Sequence, residues 1–371
     1  MDIAARRLGN QRLAGNPLGS ADEVVGWMCA VQAQDYPAAV WALGQRTGSA
    51  TAADVHRLFD AGAIVRTHVL RPTWHFVLPA DIRWLLALTA PRLRTSIAGR
   101  WRDLGIDSGE MSRAEAAFGT ALAGGRQLTR PELSAVLQAA CIAPDGQRLP
   151  HLLIAAELDA LIVSGPRRGH AFTYMLMDDR VPAAPPLAPE EALRRLAERY
   201  FRTRGPAQLA DFAWWAGTTL AEARRGVEAA GDGLASEVIE GKRYWFGDTV
   251  AGAAPEPPRP RERGVPIAHL LPNFDELTVA YRDRSDADHP DGRFDPGLFG
   301  FGSILSNVLV IGGRVRGAWR RIAGPRSLRV HVRLLDPLRP AERAAVVRAA
   351  ERMSRFLERT VELEWEEPRP R

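Results

Sequence analysis

Cysteine, lysine and long apolar runs are all scarce in this chain. Its 371 residues include only Cys29 and Cys141, which are too few for a disulfide framework or for a zinc site built from cysteine pairs. No segment approaches the roughly 18 uninterrupted apolar residues that cross a bilayer, and the first ten residues lack the apolar core of a signal peptide. We therefore expect a soluble, cytoplasmic protein with no membrane attachment.

Lys242 is the only lysine, so nearly all of the positive charge is carried by arginine. The 49 Lys and Arg residues exceed the 44 Asp and Glu residues, for a net charge of +5. That excess permits an anionic partner without requiring one, and a GC-rich genome would produce the same arginine bias. The single lysine does constrain chemistry, because a Schiff-base mechanism needs a side-chain amine at the site.

Motifs for dinucleotides, ATP and serine nucleophiles are also absent. No Gly-x-Gly-x-x-Gly run lies between a predicted strand and a helix, and neither Gly-x-x-x-x-Gly-Lys-Ser/Thr nor Gly-x-Ser-x-Gly occurs. His269 and Asp275 are conceivable metal ligands, but nothing supplies the close spacing of a metal site. We expect neither a cofactor nor a metal.

What the chain does contain is one pattern of elements repeated three times. Capping signals such as Ser20 with Glu23, and Thr129 with Glu132, predict helix starts. Each copy ends in a predicted hairpin, over residues 64–77, 161–176 and 234–246, and the last two have basic turns. Three helices and a hairpin are typical of a winged helix-turn-helix unit. The alternative is a set of αβ units whose loops are simply solvated.

We predict an α+β fold of tandem winged helix-turn-helix units followed by a β-rich element. The units are assigned to residues 1–107, 108–187 and 188–254, and the β-rich region to 255–371. Proline-rich segments at 181–186 and 254–260 mark the last two boundaries. Gly312-Gly313 predicts a hairpin between strands at 308–311 and 314–320. A strand at 329–335, a helix at 340–357 and a strand at 361–365 follow.

Two glutamines one residue apart, Gln32 and Gln34, are the most informative feature of the chain. In extended backbone, positions i and i+2 point the same way, and Pro37 disfavours helix just before it. Two neutral amides could then hold a water or stabilise a cationic transition state without adding a full charge. The plain alternative is a pair of solvated residues at a helix end.

Several motifs, in order along the chain, resemble the AlkZ/YcaQ-type winged-helix DNA glycosylases. These motifs are Gln32-Ala33-Gln34-Asp35 with residues 39–44, residues 65–68 with 71–75, residues 271–276, and residues 317–321. The resemblance implies a C-shaped array of winged helices that excises N7-alkylated guanines and in some members unhooks interstrand crosslinks. It also implies that the family's Gln-x-Gln catalytic element falls on Gln32 and Gln34.

Since Lys242 is the only lysine, we expect a glycosylase that is monofunctional. We also expect a monomer that acts on double-stranded DNA containing alkylated purines. We expect the DNA-binding residues to come from the first hairpin and from the predicted hairpin near the C-terminus, where period-2 spacing places three arginines on one face. The rival interpretations are a non-catalytic winged-helix DNA-binding protein or regulator and, less favoured, a small-molecule-binding protein. The candidate DNA-binding residues are Arg66, His68, Arg71, His75, Arg314, Arg316 and Arg320.

In the first hairpin, outward-facing polar residues with Trp74 in the core are the alternative to DNA contact. A solvated sheet face is the alternative for the three arginines. Trp214 and Trp215 are assigned to the core beside Phe212, and residues 270–275 to a structural turn that lines the cleft.

Overall fold

A computed structural model of the chain describes residues 1–247, 266–283, 307–323 and 327–368. Its first part is a short leading helix followed by a helix, strand, helix, helix, strand and strand. Ser20 caps the second helix and Thr51 the fourth, each through its hydroxyl, as the sequence predicts. The elements are α1 (Ile3–Asn10), α2 (Ala21–Met28), β1 (Val31–Gln32), α3 (Tyr36–Gly44), α4 (Ala52–Ala61), β2 (Val65–His68) and β3 (Trp74–Val77).

The same element order recurs after α5 (Pro79–Asp103), a 25-residue helix that we did not assign from sequence. Thr129 and Glu132 form the predicted capping box at the start of the second helix of this copy. The elements are α6 (Ser108–Leu122), β4 (Leu128–Thr129), α7 (Arg130–Ala139), α8 (Arg148–Leu158), β5 (Ile162–Ser164) and β6 (Thr173–Leu176), followed by α9 (Met177–Arg180).

A third copy follows, in which an isolated bridge between Ala207 and Trp245 replaces the short first strand. Its elements are α10 (Pro189–Arg204), α11 (Leu209–Ala216), α12 (Leu220–Ala230), β7 (Leu234–Ile239) and β8 (Lys242–Gly247). The three predicted hairpins are therefore confirmed. The assignment of unit boundaries at 107, 187 and 254 stays an interpretation, and the segment 254–260 lies outside the described residues.

Sheet topology makes the repetition explicit. The first copy has the strand order β1-β3-β2 and the second β4-β6-β5, antiparallel throughout. In each, the two-residue strand before the second helix pairs with the last strand of the hairpin. Gln32 lies opposite His75 in the first copy, and Thr129 lies opposite Thr173 in the second. The topology fixes the place where Gln32 leaves the sheet.

The C-terminal region is a five-stranded sheet with one long helix on its face. The predicted hairpin, strand, helix and closing strand are confirmed, and the sheet order is β13-β12-β11-β10-β9. The last pair is parallel because the helix returns the chain to the same edge. The elements are β9 (Ala268–Leu271), α13 (Glu276–Val279), β10 (Val308–Ile311), β11 (Arg314–Ala323), β12 (Leu328–Leu334), α14 (Pro340–Leu357) and β13 (Val361–Glu366).

The first copy lies between the other two copies and the C-terminal sheet. One apolar core runs from its hairpin through α5 into the second and third copies. A second core joins α2, α3 and α4 to the C-terminal sheet and α14. Gly44 allows the closest approach there, since a Cβ on it would lie 2.2 Å from the Phe356 ring. The predicted α+β class is confirmed, and none of the described helices meets the length and hydropathy required to cross a bilayer.

Candidate active site

Gln32 ends the extended strand β1, and Gln34 lies in a bend between β1 and α3, so the predicted extended backbone holds only for the first part of the Gln-x-Gln segment. Ala33 donates its N–H to the Trp74 carbonyl at 2.7 Å, so the backbone stays beside the hairpin beyond the end of β1. Asp35 then caps α3 by accepting the Ala38 N–H at 3.1 Å. Both glutamines line a single cleft of about 1060 Å³, which is the geometry that a shared chemical role requires.

Gln32 is the buried member of the pair, with 6% of its surface exposed. Its Oε1 accepts a hydrogen bond from Arg71 Nη2 at 2.9 Å. Its backbone N–H donates to Glu276 Oε1 at 2.8 Å, a contact between residues 244 apart in the chain. Both ends of Gln32 are therefore held by charged groups, which are stronger partners than neutral ones.

Glu276 belongs to a fully buried ion pair that supports Gln32. Its Oε2 accepts hydrogen bonds from Arg204 Nε at 2.8 Å, from Arg204 Nη2 at 2.6 Å and from Trp215 Nε1 at 3.0 Å. The side chains of Glu276 and Arg204 both have no exposed surface. A buried carboxylate is retained only when it is paired and hydrogen-bonded, and here the pair connects α10 to the C-terminal region behind the glutamine.

Gln34 is exposed at the cleft surface. Its Oε1 accepts the Trp74 N–H at 3.1 Å, which leaves one lone pair of that oxygen for another donor. Arg66 holds the adjacent backbone by donating to the Ala33 carbonyl at 3.0 Å and to the Gln34 carbonyl at 3.3 Å. The side chain is therefore oriented by two groups of the first hairpin.

Arg66 itself is a buried cation set among aromatic rings. Its Cζ lies 4.3 Å from the Trp74 ring centroid and 5.1 Å from that of Phe172. Burial lowers the pKa of Arg66 to about 10, so the group remains charged at neutral pH. A second cavity of about 490 Å³ lies on this side of Gln34, between the first and second copies.

Three arginines give the main cleft a positive lining. Arg71 comes from the turn of the first hairpin, Arg92 from α5 and Arg282 from the segment after α13. Arg92 and Arg282 are exposed, and Arg71 is half-buried where it reaches Gln32. Phe274, held at φ +61°, also lines the cleft. The predicted turn at 270–275 is shorter than expected, because Leu270 and Leu271 belong to β9 and the turn covers residues 273–274. The cleft therefore combines neutral amides with a cationic rim.

The prediction that Trp214 and Trp215 both lie in the core is wrong for Trp214. Trp215 is fully buried, whereas Trp214 is 46% exposed and lines the cleft. Adjacent helical residues point about 100° apart, so a helix at the edge of a cleft separates them.

His68 in β2 and His75 in β3 have buried side chains, so neither lies on the exposed surface of the first hairpin. His68 Nδ1 contacts the buried Glu157 carboxylate, and its ring lies 4.2 Å from Trp74. His75 has no exposed surface, and its Nδ1 lies 2.9 Å from the Thr73 carbonyl. Burial and the nearby Arg71 charge place the pKa of His75 well below its usual value. Neither ring is positioned to contact DNA in this conformation.

The predicted common face of Arg314, Arg316 and Arg320 is wrong. The pairing of β10 with β11 shifts by one residue between Leu309 and Val310, so Arg316 is the extra residue of a β-bulge. A bulge reverses the alternation of side chains beyond it. Arg314 therefore lies on the α14 side of the sheet and Arg320 on the opposite side.

These three arginines also differ in their exposure to solvent and in their ion pairing. Arg316 is half-buried and forms an ion pair with Glu342 of α14 at 3.1 Å. Arg314 and Arg320 are exposed. The predicted basic turns of the second and third hairpins are engaged as well, because Arg167 pairs with Asp60 and Lys242 with Asp283, both at 2.8 Å. Arginine periodicity alone does not identify which of these cations face a partner.

The two residues considered and rejected as metal ligands have other structural surroundings. Asp275 forms a bidentate pair with Arg46, with both distances 2.8 Å, and caps α13. His269 is buried in β9, where burial first and Arg352 second lower its pKa to about 3. Sequence reasoning also left Arg204, Arg92 and Arg282 without a role, because isolated arginines carry no local signal of a shared site.

Comparisons with known proteins agree with the family resemblance and with the fold. A family model described as DNA glycosylase AlkZ-like matches residues 25–356. The solved structure of Streptomyces sahachiroi DNA glycosylase AlkZ aligns with a TM-score of 0.75 and 24% sequence identity over 98% of each chain. This likeness shows that the two chains share a fold. No match was found among the curated proteins.

Proposed function

The chain belongs to the AlkZ-like DNA glycosylase family, and from this premise we propose that it excises N7-alkylguanines and related cationic alkylpurines from double-stranded DNA. The observation that carries the proposal is the convergence of Gln32 and Gln34 in one arginine-rimmed cleft. An enzyme for a cationic leaving group needs little acid catalysis, and neither glutamine can act as a strong acid. Family membership makes the chain an enzyme, which sets aside the non-catalytic regulator.

The reaction requires stabilisation of a sugar cation and placement of a water. When the glycosidic C1′–N9 bond breaks, its electron pair neutralises the alkylated base, and positive charge develops on the sugar. Water then bonds to C1′ and loses a proton to solvent. Amide carbonyl oxygens suit both tasks, since they attract a cation and accept hydrogen bonds from water.

We assign the water to Gln34 and the supporting role to Gln32. Gln34 is exposed and its Oε1 has a lone pair left after the bond from Trp74. Gln32 is buried, and its Oε1 already accepts from the Arg71 guanidinium. A carbonyl polarised by a cation is a weaker partner for a second cation. Gln32 therefore contributes mainly by placing Arg71 and the backbone of Gln34.

The proposed enzyme is monofunctional and leaves an abasic site. Strand cleavage through a Schiff base needs an amine near C1′. Lys242, the only lysine, is in the third hairpin, pairs with Asp283 at 2.8 Å and is not among the residues that line the cleft. We expect no strand nicking by the pure protein under mild conditions.

For the DNA contacts we propose the cleft arginines and the two exposed arginines of β11. Arg71, Arg92 and Arg282 surround the glutamines, while Arg314 and Arg320 are exposed further along the molecule. Arg66, Arg316, His68 and His75 are assigned to structural support. Neutralising a phosphate contact weakens binding to all sequences and lowers its dependence on salt.

A panel of defined duplexes tests the proposal. Duplexes with N7-methylguanine, a bulky N7 adduct, an interstrand crosslink or no lesion are incubated with the wild type and with the Gln32→Ala/Gln34→Ala double variant. We expect release of the alkylated bases by the wild type alone, detected as alkali-labile sites. Binding of both proteins to undamaged duplex should be similar, and light scattering should show a monomer. No release from any alkylated duplex by the wild type would refute the substrate assignment.

A further inference from the structure

Trp214 is an aromatic side chain exposed where a folded protein would ordinarily cover it. Among the described residues, the large apolar side chains with at least 40% exposure are Met1, Trp214, Leu220, Val238, Ile267 and Val347. Two of these six, Trp214 and Leu220, line the cleft that contains both glutamines. An exposed apolar surface inside a cleft is typical of a binding site for an apolar or aromatic group.

The ring is held in place although it is not covered. Trp214 Nε1 lies 3.3 Å from the Val279 carbonyl, which anchors one edge of the indole. Gly217 is the C-cap of helix α11, and a Cβ on it would lie 2.1 Å from the Leu70 carbonyl oxygen. The helix is therefore pressed against the turn of the first hairpin, and the ring is fixed relative to the glutamines. A preordered ring loses little conformational freedom when it binds a ligand.

The surroundings of the ring indicate the kind of ligand. The Arg71 guanidinium, a planar cation, already lies 5.7 Å from the Trp214 ring centroid. The same guanidinium donates a hydrogen bond to Gln32 Oε1, so the ring and the amide are linked through a single side chain. Tryptophan is the best aromatic partner for a cation, because the face of its π system is negative.

We infer that Trp214 is a specificity-determining residue on which the alkylated nucleobase stacks. The inference rests on the proposed function and deepens it by assigning the recognition of the base to the third unit. An N7-alkylguanine is planar and positively charged, so it gains both stacking and cation–π attraction, whereas unmodified guanine gains stacking alone.

The charge of the base also predicts which kinetic constant depends on Trp214. The base is cationic when bound and becomes neutral as the glycosidic bond breaks, so the cation–π part of the contact weakens toward the transition state. An interaction that favours the bound substrate over the transition state contributes to affinity and does not raise the chemical rate. Loss of the ring should therefore affect substrate binding more than the rate at saturation.

Single-turnover release of N7-methylguanine from a defined duplex, measured over a range of enzyme concentrations, tests the inference. For Trp214→Ala we expect the half-saturating enzyme concentration to rise roughly 10-fold or more, the scale of a lost base–aromatic stack. The rate at saturation should change less. Trp214→Phe should retain much of the affinity, and binding to a duplex with a tetrahydrofuran abasic analogue should be unchanged in both variants.

The control is Val238→Ala, which removes an exposed apolar side chain of the third hairpin, 55% exposed and outside the cleft. It should match the wild type in every assay. Thermal melting checks that each variant is folded, and Trp214→Phe keeps the test decisive if the alanine variant unfolds. Equal half-saturation for wild type, Trp214→Ala and Trp214→Phe would overturn the inference alone, whereas absence of release by the wild type would overturn the proposed function and the inference with it.

Discussion

The first and second copies share a topology but differ at the connection between the short strand and the next helix. In the second copy β4 ends at Thr129 and α7 begins at the following residue. In the first copy three residues separate Gln32 at the end of β1 from Tyr36 at the start of α3, and Gln34 is one of them. Gln34 therefore lies in a three-residue connection that the second copy lacks.

The two copies also differ in what holds the last residue of that strand. The Thr129 N–H donates to Glu132 of its own helix at 2.7 Å, a local capping bond. The Gln32 N–H donates to Glu276 of the C-terminal region at 2.8 Å. A local cap stabilises one helix, whereas the distant carboxylate joins the glutamine to a buried ion pair. The Gln32 N–H is thus satisfied by a tertiary hydrogen bond, whereas the Thr129 N–H at the same position of the second copy is satisfied by a local one.

The largest expected effect comes from removing the distant carboxylate. Glu276→Gln leaves the Arg204 guanidinium buried without its counter-charge, so we expect the free energy of unfolding to fall by about 3–5 kcal/mol. Urea denaturation measures the change. The matched control is Glu132→Gln at the local cap of the second copy, which should cost much less because solvent reaches that carboxylate. Similar losses for both variants would contradict the distinction between the two copies.

Next in size is the effect of the glutamines on base release. Gln34→Ala should slow single-turnover excision by roughly 10²-fold or more, the usual scale of a lost transition-state contact. Gln32→Ala should also slow excision, because Arg71 loses the amide oxygen that holds it. Thr129→Ala, at the position of Gln32 in the second copy, should leave the rate unchanged and lower stability slightly. Unchanged release by Gln34→Ala would remove it from the catalytic site.

A smaller effect is expected where the third copy touches the first. In Gly217→Ala the new Cβ would collide with the Leu70 carbonyl, and φ is +66°. Gly241→Ala, in the third hairpin, has φ +77° but no heavy atom within 4 Å of the Cβ. The control should lose about 1–2 kcal/mol from backbone strain alone. Gly217→Ala should lose more and also slow excision, because the cleft wall moves; equal losses with unchanged activity would argue against this contact.

The smallest effect is on the pH dependence of the folding stability. One group in the first copy and one in the second contribute to it with opposite signs. His75 stays neutral when folded, since its pKa is well below the ordinary value of 6.5. Its contribution to stability is present above pH 6.5 and is lost as pH falls, by at most about 1.4 kcal/mol per pH unit. Glu115 of α6 has a pKa raised to about 7 by burial and by Asp159, so its contribution is present below pH 4.5 and is lost as pH rises to 7.

Melting temperatures between pH 5 and 7 separate these two contributions. Compared with the wild type, Glu115→Gln should show stability rising more steeply with pH, because the opposing slope is removed. His75→Asn should show the reverse. Parallel curves for the three proteins would contradict both pKa directions.

The repeated elements were largely predictable because their signals are local. Ser20, Thr51 and Thr129 lie before apolar helical patterns, and each marks an observed helix start. The hairpins follow from turn residues between strand-like runs. The strands β1 and β4 were missed, since two residues are too short for a periodic pattern and form strands only by pairing with a distant hairpin.

The candidate site was predictable only as a motif. The pair Gln32 and Gln34 was recognisable, but the expectation that Pro37 keeps the preceding residue out of a helix was wrong, because α3 begins at Tyr36 with Pro37 in its first turn. The placement of Trp214 beside the pair was not predictable, because neighbouring aromatic residues in a helix look alike in sequence. The face assigned to Arg314 and Arg320 failed for a similar reason, as a single bulged residue reverses the alternation and leaves no mark in the composition.

The amino-acid sequence by itself determined most of the helices, the three hairpins of the repeated copies and the Gln-x-Gln motif, because each depends on residues that are neighbours in the chain. Only the tertiary structure decided that Glu276 and Arg204 hold Gln32, and that Trp214 lines the same cleft as both glutamines. Those contacts join residues from different copies. They form only when the shared apolar cores bring the copies together, a long-range constraint that no local pattern encodes.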